Sequence, residues 1–233
     1  MSADGPDNFN FWPVYSDLAI VMILVLVLLS MGLMVLVTHL YALVPTTVLD
    51  AQREVRSAVL ELNDNRIRVC DEQGSNQVIV LSSDVVFGVS KSATADMKLE
   101  GRQLVENVGA ILAKEKARYQ RIQIEGHASY ESPDSRSSLP AGPEAETQYG
   151  MRNWHLSAER AGAVMQLFID KGVPDYKISA AALGHYHPVV EDPCSPELNS
   201  EDYKRYNGTP EERQQNRRIN ILIMYGTEET PVE

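Results

Sequence analysis

An uncharged apolar run near the N-terminus is the strongest pattern in this 233-residue chain. Residues 18–37 contain no charged side chain. Because an α-helix rises about 1.5 Å per residue, this run covers the roughly 30 Å hydrocarbon layer of a bilayer. The run is longer than the apolar core of a signal peptide, and no Lys or Arg precedes Arg53. The pattern predicts a retained transmembrane helix over residues 13–43, after a short N-terminal tail over 1–12.

The pattern beyond this run predicts a connector followed by one folded domain. Apolar side chains between Val48 and Leu62 recur at helical spacing, with charged residues among them. Residues 44–64 are therefore predicted to hold a linker or neck helix, which either packs on its copy in a dimer or is an ordinary amphipathic connector. Residues 65–226 follow as the folded domain, and residues 227–233 as an acidic tail.

Within the domain, period-two and helical patterns follow one another. Ser157 is expected to cap a helix that ends at Gly172. Residues 130–148 are rich in Ser, Pro and Glu and predict an exposed loop, while residues 185–213 predict an irregular segment with a short helix near Asp202. The predicted elements are strands at 67–69 and 78–81, a helix over 97–116, a strand over 122–126, a helix over 157–172, and strands over 178–183 and 219–223. This order predicts an α/β fold, a βαβαβ sandwich with helices on one face of a mixed sheet.

Composition and charge narrow the classes of partner and chemistry. The formal net charge of −11 argues against nucleic acid, whose phosphates require a basic surface. The sequence shows no nucleophile–base pair, phosphate loop or Cys/His cluster at metal-ligand spacing, so we expect neither an enzyme nor a bound metal or cofactor. The two cysteines, Cys70 and Cys194, either form a disulfide in an oxidising compartment or remain free thiols.

Asp17 lies directly before the apolar run and is the candidate functional residue of the membrane segment. If the helix begins near Trp12 or Pro13, Asp17 falls in its second turn, at or within the hydrocarbon layer. A carboxylate there is costly unless it is protonated, paired or turned towards water, and such a group can take up and release ions. The alternative is an interfacial Asp that is solvated by headgroup water at the start of the helix.

The residues around Asp17 resemble the membrane segment of MotB-type stator subunits. The matching positions are Trp12, Tyr15, Ser16, Asp17, Leu28, Leu29 and Ser30. The resemblance implies that Asp17 is the ion-translocating carboxylate of a rotary motor, with H+ and Na+ both open as the ion. It also implies a homodimer of this chain inside a ring of a MotA/ZorA-like multi-span membrane subunit, five copies to two of this chain. Because the N-terminus is short and acidic, the ZorB-like component of Zorya-type anti-phage defence systems is favoured over flagellar MotB.

Four later motifs, in order along the chain, resemble those of OmpA-type domains. They are the strand motif at 122–127, the pattern N-x-x-L-S-x-x-R-A from Asn153 to Ala161, Gly184 with Pro188, and N-R-R at 216–218. The resemblance implies a domain that binds peptidoglycan, in which an arginine holds the carboxylate of diaminopimelate and an aspartate holds its ammonium. A static OmpA/Pal-like wall anchor without ion translocation is the remaining alternative.

The implied peptidoglycan site keeps the arginine and lacks the aspartate. Arg160 stands at the arginine position, where a planar guanidinium can donate two parallel hydrogen bonds to a carboxylate. Ser129 stands at the aspartate position, and a hydroxyl cannot replace an ionic partner for an ammonium; Glu131 or Asp134 could substitute. The other implied positions, each of which could instead serve only the fold, are Asn153, Arg217 and Arg218.

The orientation in the membrane rests on two conflicting signals. Arg53 and Arg56 follow the apolar run, which weakly favours a cytoplasmic C-terminal domain. The family resemblance implies the opposite. On that basis we expect a single-pass protein of the bacterial inner membrane with its C-terminal domain in the periplasm.

Overall fold

The structure, a computed structural model, describes residues 12–42, 46–71, 76–88, 91–131, 143–190, 192, 194 and 203–226. It divides into two compact units, Met1–Pro45 and Thr46–Glu233. Residues 1–11 of the predicted tail, the acidic tail from residue 227 and the predicted short helix near Asp202 lie outside the described residues.

The first unit is built on one long apolar helix, α1, Trp12–Ala42. Within Tyr15–Val37, the mean hydropathy of an 18-residue window is 3.2, and every side chain from Tyr15 to Val37 is exposed. Asp17 is the one charged residue in that stretch. A helix that is apolar on all sides needs an apolar surrounding, and this one has the length and composition to cross a bilayer. The predicted N-terminal helix is confirmed.

The second unit begins with helix α2, Thr46–Leu60. Four of its residues, Val48, Ala51, Val55 and Val59, recur at helical spacing and are at most 6% exposed. They belong to the hydrophobic core of the second unit. These four side chains are therefore buried in the domain of their own chain rather than available for pairing with a second copy.

The sheet of the second unit has five strands. They are β1 Ile67–Asp71, β2 Asn76–Ser82, β3 Arg121–His127, β4 Ile178–Gly184 and β5 Arg218–Met224. Their order across the sheet is β1-β2-β5-β3-β4. Strands β3 and β4 run parallel, and the other neighbouring pairs run antiparallel. The predicted α/β fold with a mixed sheet is confirmed.

The described α-helices that follow α2 are α3 Ser83–Val86, α4 Leu99–Lys114, α5 Pro143–Asp170 and α6 Pro210–Asn216. The apolar faces of α4 and α5 share one core with the sheet. Helix α5 crosses β3 so closely that a Cβ on Gly126 would lie 2.0 Å from the carbonyl oxygen of Ser157. This approach places α5 directly beside the segment that leaves β3.

Helix α5 begins earlier than the sequence pattern predicts. It starts at Pro143, so Ser157 is not its cap and the last part of the predicted loop 130–148 is helical. The Ser157 hydroxyl donates to the Asn153 carbonyl oxygen at 2.7 Å and accepts the Gly184 N–H at 3.2 Å. A serine can bond to the carbonyl one turn earlier as readily as it can cap a helix, and this explains the wrong prediction.

Helix α6 begins inside the segment 185–213 that was predicted to be irregular. Its start is a capping box, in which Thr209 Oγ1 accepts the Glu212 N–H at 3.1 Å and the Glu212 carboxylate accepts the Thr209 N–H at 2.9 Å. Pro210 follows the cap, where its missing N–H costs nothing. The prediction of irregular structure is wrong for this part of the segment.

A disulfide joins Cys70 on β1 to Cys194, which lies between β4 and α6 along the chain, with 5.3 Å between the Cα atoms. Of the two states that the sequence left open for these cysteines, a disulfide or free thiols, the structure has the disulfide. Asp192, two residues before Cys194, is also tied to β1, because Nη1 of Arg68 lies 3.3 Å from Asp192 Oδ1. The disulfide and this ion pair thus fasten the edge strand β1 to the segment around residues 192–194.

Candidate functional site

A cavity of about 450 Å³ opens beside the N-terminal half of α5. Three further parts of the domain supply its walls: α3 with the loop that follows it, the segment after β3, and the residue before β5. Its lining residues are Asp84, Ser92, Ala128, Ser129, Glu131, Tyr149, Arg152, Asn153, His155, Leu156, Glu159, Arg160 and Arg217. The α5 residues among them recur mostly at intervals of three and four, so a single face of the helix forms this wall.

Arg160 is the most buried cation of the cavity, with 2% of its surface exposed. Its Nε donates to the Lys91 carbonyl oxygen at 2.9 Å and its Nη2 to that of Gly88 at 3.5 Å. Burial lowers the pKa of Arg160 to about 10; the nearby Asp84 opposes this shift and Arg217 adds to it. Among the described residues, Nη1 of Arg160 has no hydrogen-bond partner. Two nitrogens of Arg160 therefore hold the backbone of residues 88 and 91, and Nη1 remains without a partner among the described residues.

Arg217 connects two other residues of the lining. Its Nε donates to both carboxylate oxygens of Asp84 at 2.9 Å, and its Nη2 lies 2.8 Å from Oδ2. Its Nη1 donates to the Ser129 hydroxyl oxygen at 3.3 Å. Because a guanidinium is planar and rigid, this arrangement fixes the Asp84 carboxylate and the Ser129 side chain in relation to each other.

Asn153 and Tyr149 position the backbone of the segment after β3. Asn153 Nδ2 donates to the Ser129 carbonyl oxygen at 3.1 Å and lies 3.2 Å from Nδ1 of His185. The Tyr149 hydroxyl accepts the Glu131 N–H at 2.9 Å. Burial lowers the pKa of His185 to about 4, so its imidazole is neutral near pH 7 and its Nδ1 can accept from Asn153.

The structure brings four of the five implied peptidoglycan-binding residues together. Ser129, Asn153, Arg160 and Arg217 all line the cavity. Arg218 does not; it is buried at the start of β5, where its Nη2 donates to the His187 carbonyl oxygen at 3.2 Å.

Of the three remaining candidate residues, the structure describes Asp17 and Glu131 and does not describe Asp134. Asp17 belongs to the first unit, where it lies on the exposed surface of α1. Glu131 lines the cavity, whereas Asp134 lies outside the described residues. In the described part of the chain, no group of three His, Cys, Asp or Glu side chains could hold a metal ion.

Sequence reasoning missed Asp84 as part of this cavity. Asp84 and Arg217 are separated by 133 positions, and no motif joins them. Their pairing depends on β2 lying beside β5, where Ser82 is the register partner of Arg218. Because the sequence did not predict that β2 pairs with β5, it could not place Asp84 beside Arg217.

Known proteins match the second unit in sequence and in fold. Residues 91–201 match the sequence profile of the OmpA family. Outer membrane protein A of Salmonella typhi is 30% identical over 114 residues, which span 49% of this chain and 27% of that protein. A MotB-like protein from Desulfovibrio vulgaris superposes with a TM-score of 0.53 and 19% identity, covering 76% of this chain and 93% of that one. The cell wall anchor of the T6SS from Pseudomonas aeruginosa superposes with a TM-score of 0.51 and 18% identity, covering 74% of this chain and 97% of that one. The second unit therefore contains an OmpA-like domain.

Proposed function

We propose that this chain is a single-pass inner-membrane protein whose OmpA-like domain binds peptidoglycan. The observation that carries this proposal is Arg160, a buried cation that lines the cavity with Nη1 unpartnered among the described residues. A buried positive charge with an open donor is best satisfied by a carboxylate. Arg160 holds a carboxylate of diaminopimelate in the peptide stem, and a cavity of about 450 Å³ suits a ligand of this size. The role is binding and anchoring rather than catalysis.

The disulfide supports a periplasmic location for the OmpA-like domain. Disulfides persist in the oxidising periplasm, whereas cytosolic thiols are kept reduced. The bond between Cys70 and Cys194 therefore favours a C-terminal domain outside the cytoplasm. This outweighs the weak opposite signal from Arg53 and Arg56, which lie well beyond the apolar stretch.

We further propose that the chain is the MotB-like component of a MotAB-like ion-driven motor. Asp17 is a lone carboxylate on a helix that is apolar and exposed on all sides, where an isolated charge is costly. A multi-span MotA/ZorA-like partner around a homodimer of this chain gives Asp17 the polar surrounding that ion binding and release require. The favoured member of this class is the ZorB-like component of a Zorya-type defence system, with flagellar MotB as the alternative; the neighbouring genes distinguish the two.

Peptidoglycan binding is tested by co-sedimentation of the detergent-solubilised full chain with purified cell-wall sacculi. Arg160→Ala should weaken binding by on the order of tenfold or more, because it removes a charged hydrogen-bond donor from a buried site. Arg160→Lys should bind with intermediate strength, since it keeps the charge and loses the planar fork. Arg102→Ala is the matched control, because it removes an exposed guanidinium that pairs with Glu106 on α4. Undiminished binding by both folded Arg160 variants would refute the proposed site.

The motor role is tested by Asp17→Asn, a neutral change of nearly equal size. A motor component should lose ion-dependent function while its assembly with the multi-span partner stays intact. A static wall anchor should retain its full function with this change. Retained function would leave peptidoglycan anchoring in place and exclude the motor.

A further inference from the structure

The charged lining of the cavity is balanced in sign. Three carboxylates, those of Asp84, Glu131 and Glu159, stand with three guanidinium groups, those of Arg152, Arg160 and Arg217. A ligand that carries both an ammonium and a carboxylate complements such a lining better than an anion does, because each of its charges meets an opposite one. Arg160 provides for the carboxylate, which leaves the question of which side chain meets the ammonium.

Asp84 is better prepared for that role than Glu159. It is 28% exposed, whereas Glu159 is an exposed side chain whose charge is more strongly screened by water. Arg217 holds both Asp84 oxygens, so binding requires little further ordering of this side chain. In the described structure Oδ1 receives one contact and Oδ2 receives two, which leaves Oδ1 free to accept a further hydrogen bond.

Asp84 is also close enough to Arg160 to act with it on one small ligand. Both side chains line the same cavity, and the Asp84 carboxylate acts electrostatically on the Arg160 guanidinium. Arg217 additionally reaches Ser129, so the same guanidinium spans position 84 and position 129. A carboxylate at either position could therefore be held by Arg217 at the rim of the site.

We propose that Asp84 accepts the ammonium of the ligand whose carboxylate Arg160 holds, and that it thereby supplies the acidic partner that Ser129 cannot. This inference rests on the proposed peptidoglycan function and adds a specificity-determining residue to it. The predicted consequence is that the domain distinguishes a stem peptide with a free ammonium from one whose ammonium is blocked.

The test measures binding of the detergent-solubilised full chain to two synthetic stem tripeptides by isothermal titration calorimetry. Both end in meso-diaminopimelate, one with its side-chain ammonium free and one with it acetylated. The unmodified chain should prefer the free form on the order of 10- to 100-fold, the range of a charged hydrogen bond. Asp84→Asn should bind the two forms about equally. Asp84→Asn combined with Ser129→Asp should restore the preference, because Arg217 can hold the new carboxylate.

The controls separate this inference from the proposed function. Glu106→Gln neutralises a carboxylate outside the cavity, where Glu106 pairs with Arg102 and Lys171, and should keep the full preference. Thermal unfolding of each variant establishes that it is folded. If folded Asp84→Asn keeps the preference, or if Glu131→Gln or Glu159→Gln removes it instead, Asp84 is not the ammonium acceptor and peptidoglycan binding still stands. If the unmodified chain binds neither peptide, the proposed function fails and the role of Asp84 fails with it.

Discussion

Replacing Cys70 and Cys194 together by serine should destabilise the OmpA-like domain strongly. The disulfide joins residues 124 positions apart, and it ties the edge strand β1 to a distant part of the chain. Without it, the unfolded chain regains the conformations that the cross-link removes. The native contacts of β1 with β2 are expected to persist, because the ladder from Ile67 to Asp71 does not depend on the bridge.

The size of the loss follows from the length of the closed loop. In the chain-entropy account, a loop of this length is worth about 5 kcal/mol at 25 °C, and native disulfides typically contribute about 2–5 kcal/mol. We therefore expect a loss of roughly 3–5 kcal/mol. For a cooperative unit of this size, 1 kcal/mol shifts the midpoint by about 2–4 °C, so Tm should fall by roughly 6–20 °C.

Near-ultraviolet circular dichroism of the full chain in detergent is the assay, because buried tyrosines such as Tyr119 and Tyr225 report on the packed domain. The double variant, and the unmodified chain treated with a reductant, should unfold at similar temperatures. Iodoacetamide should label neither cysteine before reduction. A double variant that melts within about 2 °C of the unmodified chain would contradict the loop-entropy reasoning.

Three further predictions concern single residues. Gly126→Ala should cost roughly 1–3 kcal/mol or more in denaturant unfolding, because its Cβ would lie 2.0 Å from the Ser157 carbonyl oxygen. Gly162→Ala is the matched control: its Cβ would meet nothing within 4 Å, so it should stabilise α5 by roughly 0.5–1 kcal/mol. The pKa of His185 is lowered from 6.5 to about 4, so its neutral form favours the folded state; stability should fall as the pH drops from 6.5 towards 4. The contribution of His185 to the slope of the unfolding free energy against pH should be about 1.4 kcal/mol per pH unit, the value for one proton. The unfolding free energy of His185→Gln should therefore depend less steeply on pH. Thr209→Ala should cost about 1 kcal/mol through loss of the α6 cap, while Thr94→Ala, outside any cap, should cost less in the same titration.

The elements with a regular hydrophobic period were predictable from the sequence. Ile219, Ile221 and Ile223 alternate with their neighbours, and they form the buried face of β5. Residues 18–37 form part of one continuous helix, as their unbroken apolar character predicts. In both cases the pattern lies within the element itself, because the polarity of each residue indicates whether its side chain faces an apolar or a polar surrounding.

The start of α5 was not predictable in the same way, because Ser157 gives one signal in two different settings. A serine before an apolar run suggests a cap, yet here its hydroxyl bonds inside a helix that began fourteen residues earlier. The start of α6, by contrast, was readable. Thr209, Pro210 and Glu212 form a helix-start motif that the sequence contains. The prediction overlooked this motif because it lies in a long polar segment.

The cavity was predictable in part. The motif from Asn153 to Ala161 singled out Asn153 and Arg160 as candidate site residues, and both line the same cavity. Asp84 could not be found in this way, since its partner Arg217 arrives only through strand pairing over a long sequence separation. The local sequence therefore identified the helix that carries the site and missed the opposite wall.

The disulfide also determines how the domain would respond to mechanical tension. A pull on the N-terminal end of the second unit reaches the sheet through α2 and then β1, which lies at the edge of the sheet. An edge strand under such a load peels away one hydrogen-bonded pair at a time, the weakest way to dismantle a sheet. The covalent link at Cys70 stops that peeling three residues after Ile67 and transfers the load to the segment around Cys194. The domain would thus yield at a higher force when oxidised than when reduced, a difference that force spectroscopy with and without reductant would measure.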